Sequence, residues 1–346
     1  METKIFEEPQ KKDIEFASEV IKNGGLVVFP TETVYGLGAS ALDSEAARKI
    51  YAAKGRPSDN PLIIHLARPE DAEKYCYTDS VFYRLAECFM PGPITVILPK
   101  RECIPMTVTG GLDTVAVRVP MNHVALKLIE ESGVPIAAPS ANISGKPSPT
   151  CPEDVITDMQ GRADVILCGG ECDVGLESTI VRSEKDGTIS LLRPGAITPE
   201  MLSAACGGAE VTDLSSKKLG EGDKPAAPGM KYRHYAPNAK VIVLVGDDEA
   251  IFEYMAERAC EESVGFLTDE ASARKLGKYA LSYGDRTSAK DMAHNLFRKL
   301  REFDKIEEIK TVYADMPRLE GIGYAVYNRL IKASGFDIRT INKIGE

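Results

Sequence analysis

The feature that most constrains this chain is a repeated unit, a run of four or five apolar residues that ends in a polar loop punctuated by proline or glycine. LVVF (26–29) runs into Pro30, LIIHL (62–66) follows Pro61, ITVIL (94–98) follows Pro93, and VAVRV (115–119) stops at Pro120. VPIAA (134–138), DVILC (164–168), the stretch 175–181 and ISLL (189–192) repeat the pattern. Such runs read as buried strands. Helical spacing over 13–23, 44–53, 71–89 and 123–132 places helices between them, which predicts an α/β sheet.

The loops at the strand ends carry the chemistry. In Lys54–Pro61 (KGRPSDNP) two prolines restrict the backbone and Gly55 permits a tight turn, so Lys54, Arg56 and Asn60 are expected to stand as a fixed donor cluster suited to an anion. Residues 31–39 (TETVYGLGA) read as a polar loop with hydroxyls, a carboxylate and a tyrosine. Residues 139–148 (PSANISGKPS) add Ser140, Asn142 and Ser148, and the segments 175–179 and 193–195 add Ser178 and Arg193. Five such loops in one domain imply a single polar cleft for an anionic, nucleotide-sized ligand. Arg118, a lone cation in an apolar strand, needs an anion if it is buried, or faces solvent if the strand is an edge. His123 reads as surface or capping.

The sequence has 346 residues, so two domains are expected. After Pro199 the sequence loosens into a linker that ends in PGMKYRHYAP (228–237), whose cations and aromatics suit either a spacer or a lid. Strands at 241–245, 264–268 and 311–315 then alternate with helices at 249–262, 288–303 and 321–334, which predicts a small parallel sheet. The helix start at 321–323 offers either free amides to an anion or a plain structural helix.

The net charge of -10 disfavours a protein whose main work is gripping nucleic acid along a broad face. No apolar stretch is long enough to cross a membrane, and the start resembles no signal peptide, so a cytoplasmic protein is expected. The eight cysteines are expected to be mostly reduced and buried, and Cys168 and Cys172 lack a second ligand pair for zinc. There is no Walker A or Gly-x-Gly-x-x-Gly pattern, and no defensible catalytic triad or zinc-protease motif. The chemistry implied is positioning and charge stabilisation.

Six stretches resemble the YrdC-like domain: PTETVYGLG (30–38), KGRPSDNPL (54–62), PGPIT (91–95), RVP (118–120), APSANISG (138–145), and EST (177–179) with RPG (193–195). The segment 228–237 and the C-terminal α/β unit resemble the two-domain branch, the L-threonylcarbamoyladenylate synthases. The resemblance implies a twisted mixed sheet at 1–206, a linker or lid at 207–238 and a small Rossmann-like parallel domain at 239–346. It implies a nucleotidyltransferase that makes L-threonylcarbamoyl-AMP, pyrophosphate and water from L-threonine, bicarbonate and ATP with Mg2+. The product would feed N6-threonylcarbamoyladenosine (t6A) formation at position 37 of tRNAs reading codons that begin with A, through a downstream transferase complex and with at most weak tRNA contact.

Residue by residue, the resemblance puts Thr33, His65, Arg118, Ser178 and the Ala138 backbone at threonine, with Arg118 pairing the carboxylate. It puts Lys54, Arg56 and Asn60 at the triphosphate, and Lys54 and Arg56 in the catalytic role. Thr114, Ser140, Asn142, Ser148 and Arg193 complete the nucleotide side, and His234 or Tyr235 closes over it. No protein metal ligand is implied. Two rivals are a carbamoyl-transfer relative of hydrogenase-maturation proteins, whose acylphosphatase-like and zinc-finger modules this sequence lacks, and a non-catalytic RNA-binding module.

Overall fold

The computed structural model describes residues 2–216, 225, 227–228 and 235–342. They form two compact units. The first takes residues through Ser144, Ser148–Asp173, and the described residues from Glu177 to Pro228; the second takes Gly145–Pro147, Val174–Leu176 and the described residues from Tyr235 onward.

The first unit is built on one sheet of β1 (Lys4–Phe6), β2 (Val27–Phe29), β3 (Gly36–Ser40), β4 (Ile63–His65), β5 (Ile94–Pro99), β6 (Thr114–Arg118), β7 (Ile136–Ala138), β8 (Val165–Leu167), β9 (Thr179–Ser183), β10 (Ile189–Arg193) and β11 (Val211–Asp213). Their order is β1-β8-β2-β3-β7-β4-β6-β5-β9-β10-β11. The sheet is mixed: β4 and β6 run parallel, whereas β5 and β6, and β4 and β7, are antiparallel. Side chains alternate between faces. Val27 and Phe29 join Ile14, Ile21, Val124 and Leu128 in one core, while Val28 joins Tyr35, Ile50, Phe82 and Val117 in another. The helices Lys11–Lys22 and His123–Ser132 supply the first core's outer layer.

Three local expectations are corrected. Residues 71–89 are not one helix: a 3-10 turn, Pro69–Lys74, is followed by a separate helix, Ser80–Phe89, started by the Asp79 carboxylate on the Phe82 amide. The loop at 31–39 is half strand, because Gly36–Ser40 pairs antiparallel with β2 and buries every residue. The expected linker begins with a strand, since β11 pairs parallel with β10. Of the two readings left open for Arg118 the buried one holds, because β6 lies between β4 and β5.

The second unit has β12 (Lys240–Gly246), β13 (Val264–Thr268), β14 (Ala280–Ser282), β15 (Thr311–Asp315) and β16 (Ile338–Ile341) in the order β14-β13-β15-β12-β16. Every pair is parallel, as the alternating pattern predicts, with β14 and β16 flanking the three expected strands. The helix Gly323–Ala333 offers no free amides at its start, because the amides of Gly323, Tyr324 and Ala325 bond to the carbonyls of Glu320, Gly321 and Ile322. Among the described residues no helix is long and apolar enough to cross a membrane.

Candidate active site

Arg118 and His65 end the parallel neighbours β6 and β4, in register with each other. Arg118 is only 4% exposed, and its anion comes from within the chain. The Nη2 group donates to Glu32 Oε1 at 2.6 Å and to Thr33 Oγ1 at 2.8 Å. Glu32, 2% exposed, is pinned from the other side by the Met121 amide, 2.9 Å from Oε2. The expectation that Arg118 depends on a substrate carboxylate for its counter-ion is therefore corrected. What the ion pair leaves over is the Arg118 Nε–H, buried with no partner. A buried donor without an acceptor is costly, so this one is a natural receptor for an anionic oxygen.

His65 is buried against Phe29, edge to face at 5.9 Å, with Nδ1 3.3 Å from the Ile136 carbonyl oxygen. Burial first, and the Arg118 charge second, push its pKa down to about 3, so the imidazole is neutral. Ala138 pairs with Ile63 on the neighbouring strand β7.

Lys54 is the last residue of the helix Ser44–Lys54, which Asp43 caps through the amides of Glu45 and Ala46. Gly55 ends it in the left-handed conformation, at φ 62°, so that the Arg56 amide closes onto the Tyr51 carbonyl. The Lys54 ammonium is 2% exposed and donates to the carbonyls of Ser140 and Asn142 at 2.5 Å each. Arg56 curls back onto the carbonyls of Asn60 and Pro61, at 3.3 and 3.0 Å from Nη2. Both cations thus brace the turn and the 140–142 loop. Asn60 is buried, and its Oδ1 has no partner. Tyr51, whose hydroxyl donates to the Asn60 and Thr107 carbonyls, holds the turn from below.

The remaining loops are knit to these by hydrogen bonds. Ala141 donates to the Tyr35 carbonyl, Tyr35 to the Pro149 carbonyl, and the Ser148 hydroxyl to Glu177 Oε1 at 2.6 Å. Arg193, at the end of β10, reaches Ser178 through Nε to its carbonyl and Nη2 to its hydroxyl, at 3.0 and 3.1 Å. Ser178 also meets Thr95 at 2.7 Å. Gly195 permits this approach, since a Cβ there would lie 2.5 Å from the Thr179 nitrogen.

Thr114 stands at the opposite end of β6 from Arg118, about 13 Å away at strand spacing. Tyr235 belongs to the second unit, where its ring stacks on Phe297 at 5.1 Å; His234 lies outside the described residues. His123 is exposed at its helix start, behind the Asn122 cap. Cys168 and Cys172 are buried free thiols, pushed up by burial, in the first case to about 11. Residue-by-residue reasoning missed Glu32, Thr95, Glu177 and Tyr51. For Glu32 the signal was available, because a buried arginine implies a carboxylate and the 31–39 loop held one.

Residues 19–195 match the family model for Sua5, YciO and YrdC, described as telomere recombination, and residues 197–335 match the threonylcarbamoyl-AMP synthase C-terminal domain. The chain belongs to the Sua5/YciO/YrdC family. It is 43% identical over 343 residues to the threonylcarbamoyl-AMP synthase of Pyrococcus abyssi, covering 94% of this chain and 95% of that one. It is also 43% identical over 326 residues to the Bacillus subtilis threonylcarbamoyl-AMP synthase, covering 92% of each. The crystal structure of P. abyssi Sua5 complexed with L-threonine superposes with a TM-score of 0.89 at 42% identity, covering 99% of this chain and all of that one. The two-domain architecture of this family member is therefore that of Sua5.

Proposed function

We infer that this chain is a threonylcarbamoyl-AMP synthase, an enzyme that condenses L-threonine, bicarbonate and ATP into L-threonylcarbamoyl-AMP, pyrophosphate and water. The single observation that carries the reading onto this chain's own residues is the buried, unpartnered Nε–H of Arg118 beside Thr33 and a neutral His65. That is an amino-acid carboxylate receptor within a family whose relatives bear the synthase name.

The chemistry follows from the substrates. The threonine nitrogen takes the carbon of bicarbonate, water departs, and a carbamate forms. A carbamate oxygen then attacks the α-phosphorus of ATP, a new P–O bond forms, and pyrophosphate leaves with the electron pair of the broken bond. In this assignment Arg118, Thr33, His65, Ser178 and the Ala138 backbone hold threonine. Lys54, Arg56 and Asn60 face the triphosphate, with Thr114, Ser140, Asn142, Ser148, Arg193, His234 and Tyr235 on the nucleotide side. The braced positions of Lys54 and Arg56 support fixed positive charge, which costs no reorganisation when charge builds on the phosphates.

Among the described residues no group of three His, Cys, Asp or Glu side chains is placed to hold a metal ion. We assign Mg2+ to the nucleotide itself, held by phosphate and water. We assign residues 1–206 to catalysis, 207–238 to a linker and lid, and 239–346 to the C-terminal domain. A cytoplasmic location, supply of t6A synthesis through a downstream tRNA threonylcarbamoyl transferase, and at most weak contact with tRNA complete the proposal.

The test is pyrophosphate release from ATP with threonine, bicarbonate and carbamoyl phosphate varied in turn. Release that needs both threonine and bicarbonate is expected. Release that ignores threonine, or needs carbamoyl phosphate instead, would refute it.

A further inference from the structure

The threonine-side residues so far named leave out the carboxylate that holds Arg118. Glu32 spans two anchors, Arg118 Nη2 at 2.6 Å and the Met121 amide at 2.9 Å, so it cannot swing away with the guanidinium. Thr31 and Thr33 reinforce the same corner: their hydroxyls lie 2.8 Å apart, and Thr31 also donates to the Val34 carbonyl. All the recorded acceptors crowd one nitrogen of Arg118, while Nε, on the same planar group, is left without a partner. A carboxylate that merely kept the substrate's place would cover the donors the substrate uses. Glu32 covers a different one, so substrate and Glu32 can bind Arg118 together.

We propose that Glu32 is a positioning and specificity residue of the threonine site, holding the Arg118 fork in place and making the pocket select an amino-acid zwitterion over a plain carboxylate. The inference rests on the threonine-site reading above. Its physical basis is charge balance in a dry site. Arg118 and Glu32 are both almost fully buried and cancel, and His65 beside them is uncharged. A zwitterion adds no net charge to this set. A carboxylate without an ammonium adds one uncompensated negative charge, which a low-dielectric interior penalises heavily. Without the Glu32 charge the pocket is cationic, and the preference reverses.

The experiment uses the full-length protein, ATP and bicarbonate, and reads pyrophosphate release. The competitor is 3-hydroxybutyrate, which is threonine without its amino group. In Glu32→Gln the KM for threonine is expected to rise roughly tenfold while that for ATP stays within about twofold. Levels of 3-hydroxybutyrate that leave the wild type unaffected are expected to inhibit this variant. Glu32→Asp keeps the charge but shortens the reach, so its threonine KM rises while 3-hydroxybutyrate stays silent. If the Gln variant does not fold, the Asp variant decides by the same split between threonine and ATP. An unchanged threonine KM, equal rises in both KM values, or equal sensitivity of wild type and Glu32→Gln to 3-hydroxybutyrate would overturn the proposal. Threonine-independent release by the wild type would instead sink the synthase reading itself.

Discussion

Each unit holds an arginine against carboxylates near the carboxyl ends of its strands, and the two arginines are saturated to different degrees. Arg286, in the second unit, is fully committed: Nη1 meets Asp248, Nη2 meets Asp269 and Asp315, and Nε meets Asp269 at 3.3 Å. Asp269 and Asp315 close β13 and β15, and Asp269 also caps the helix Glu270–Leu276. There the carboxylates outnumber the cation, and the atom left over is an acceptor, Asp315 Oδ1. At Arg118 a single carboxylate takes a single nitrogen, and the atom left over is a donor. A guanidinium whose nitrogens are all matched braces the fold. One with a buried N–H to spare keeps a donor that the proposed threonine carboxylate would take up.

The largest expected effect on activity comes from Arg118→Lys. It keeps the charge and loses the planar fork, so the KM for threonine should rise roughly a hundredfold, worth about 2.7 kcal/mol, in steady-state pyrophosphate release. Arg286→Ala should act on stability, because it strands two largely buried carboxylates. A loss of about 3–5 kcal/mol in denaturant unfolding is expected, with little change in threonine KM. A threonine KM that moved as much in this variant as in Arg118→Lys would break the contrast.

Asp315 sharpens it further. Burial, only partly offset by Arg286, pushes its carboxyl up to about 6 from 3.8. A group whose folded pKa is raised contributes stability that is present below the unfolded pKa and lost as pH rises through the folded one. Asp315→Asn should remove that loss, so the fall in melting temperature between pH 4 and 7 shrinks by a few degrees relative to the wild type. At His65 the expected change over the physiological range is none. Its pKa is lowered to about 3, so any stability it confers is present above about pH 6.5 and lost as pH falls toward 3. Its imidazole NMR signals should not titrate between pH 5 and 8.

Much of this was legible in the sequence, for physical reasons. Strands such as 94–98 and 311–315 announce themselves by β-branched runs between breakers, and the helix expected at 44–53 by its helical spacing. Gly36–Ser40 did not, because GLGAS carries little strand propensity and is held by pairing with β2 and β7. The strands β1, β11 and β14 are three residues each, too short for a pattern to show. The site loops were legible as polar ends of apolar runs, but their internal partners were not. Glu32 and Arg118 are 86 residues apart, and Lys54 and Asn142 are 88 apart; no spacing rule joins such pairs. So Lys54 and Arg56 read as a fixed donor cluster, while the carbonyls that fix Lys54 come from a distant loop that only folding brings near.

The most direct measurement is the 15N-resolved NMR signal of the Arg118 Nε–H, followed as L-threonine is added to the full-length protein. Saturating threonine should move that resonance strongly downfield as the carboxylate accepts the hydrogen bond and leave the Arg286 Nε–H in place; in Arg118→Lys the responding resonance is absent and the Arg286 signal again stays put. A stationary Arg118 signal at threonine concentrations that support full pyrophosphate release would contradict the claim that this buried donor is the carboxylate receptor.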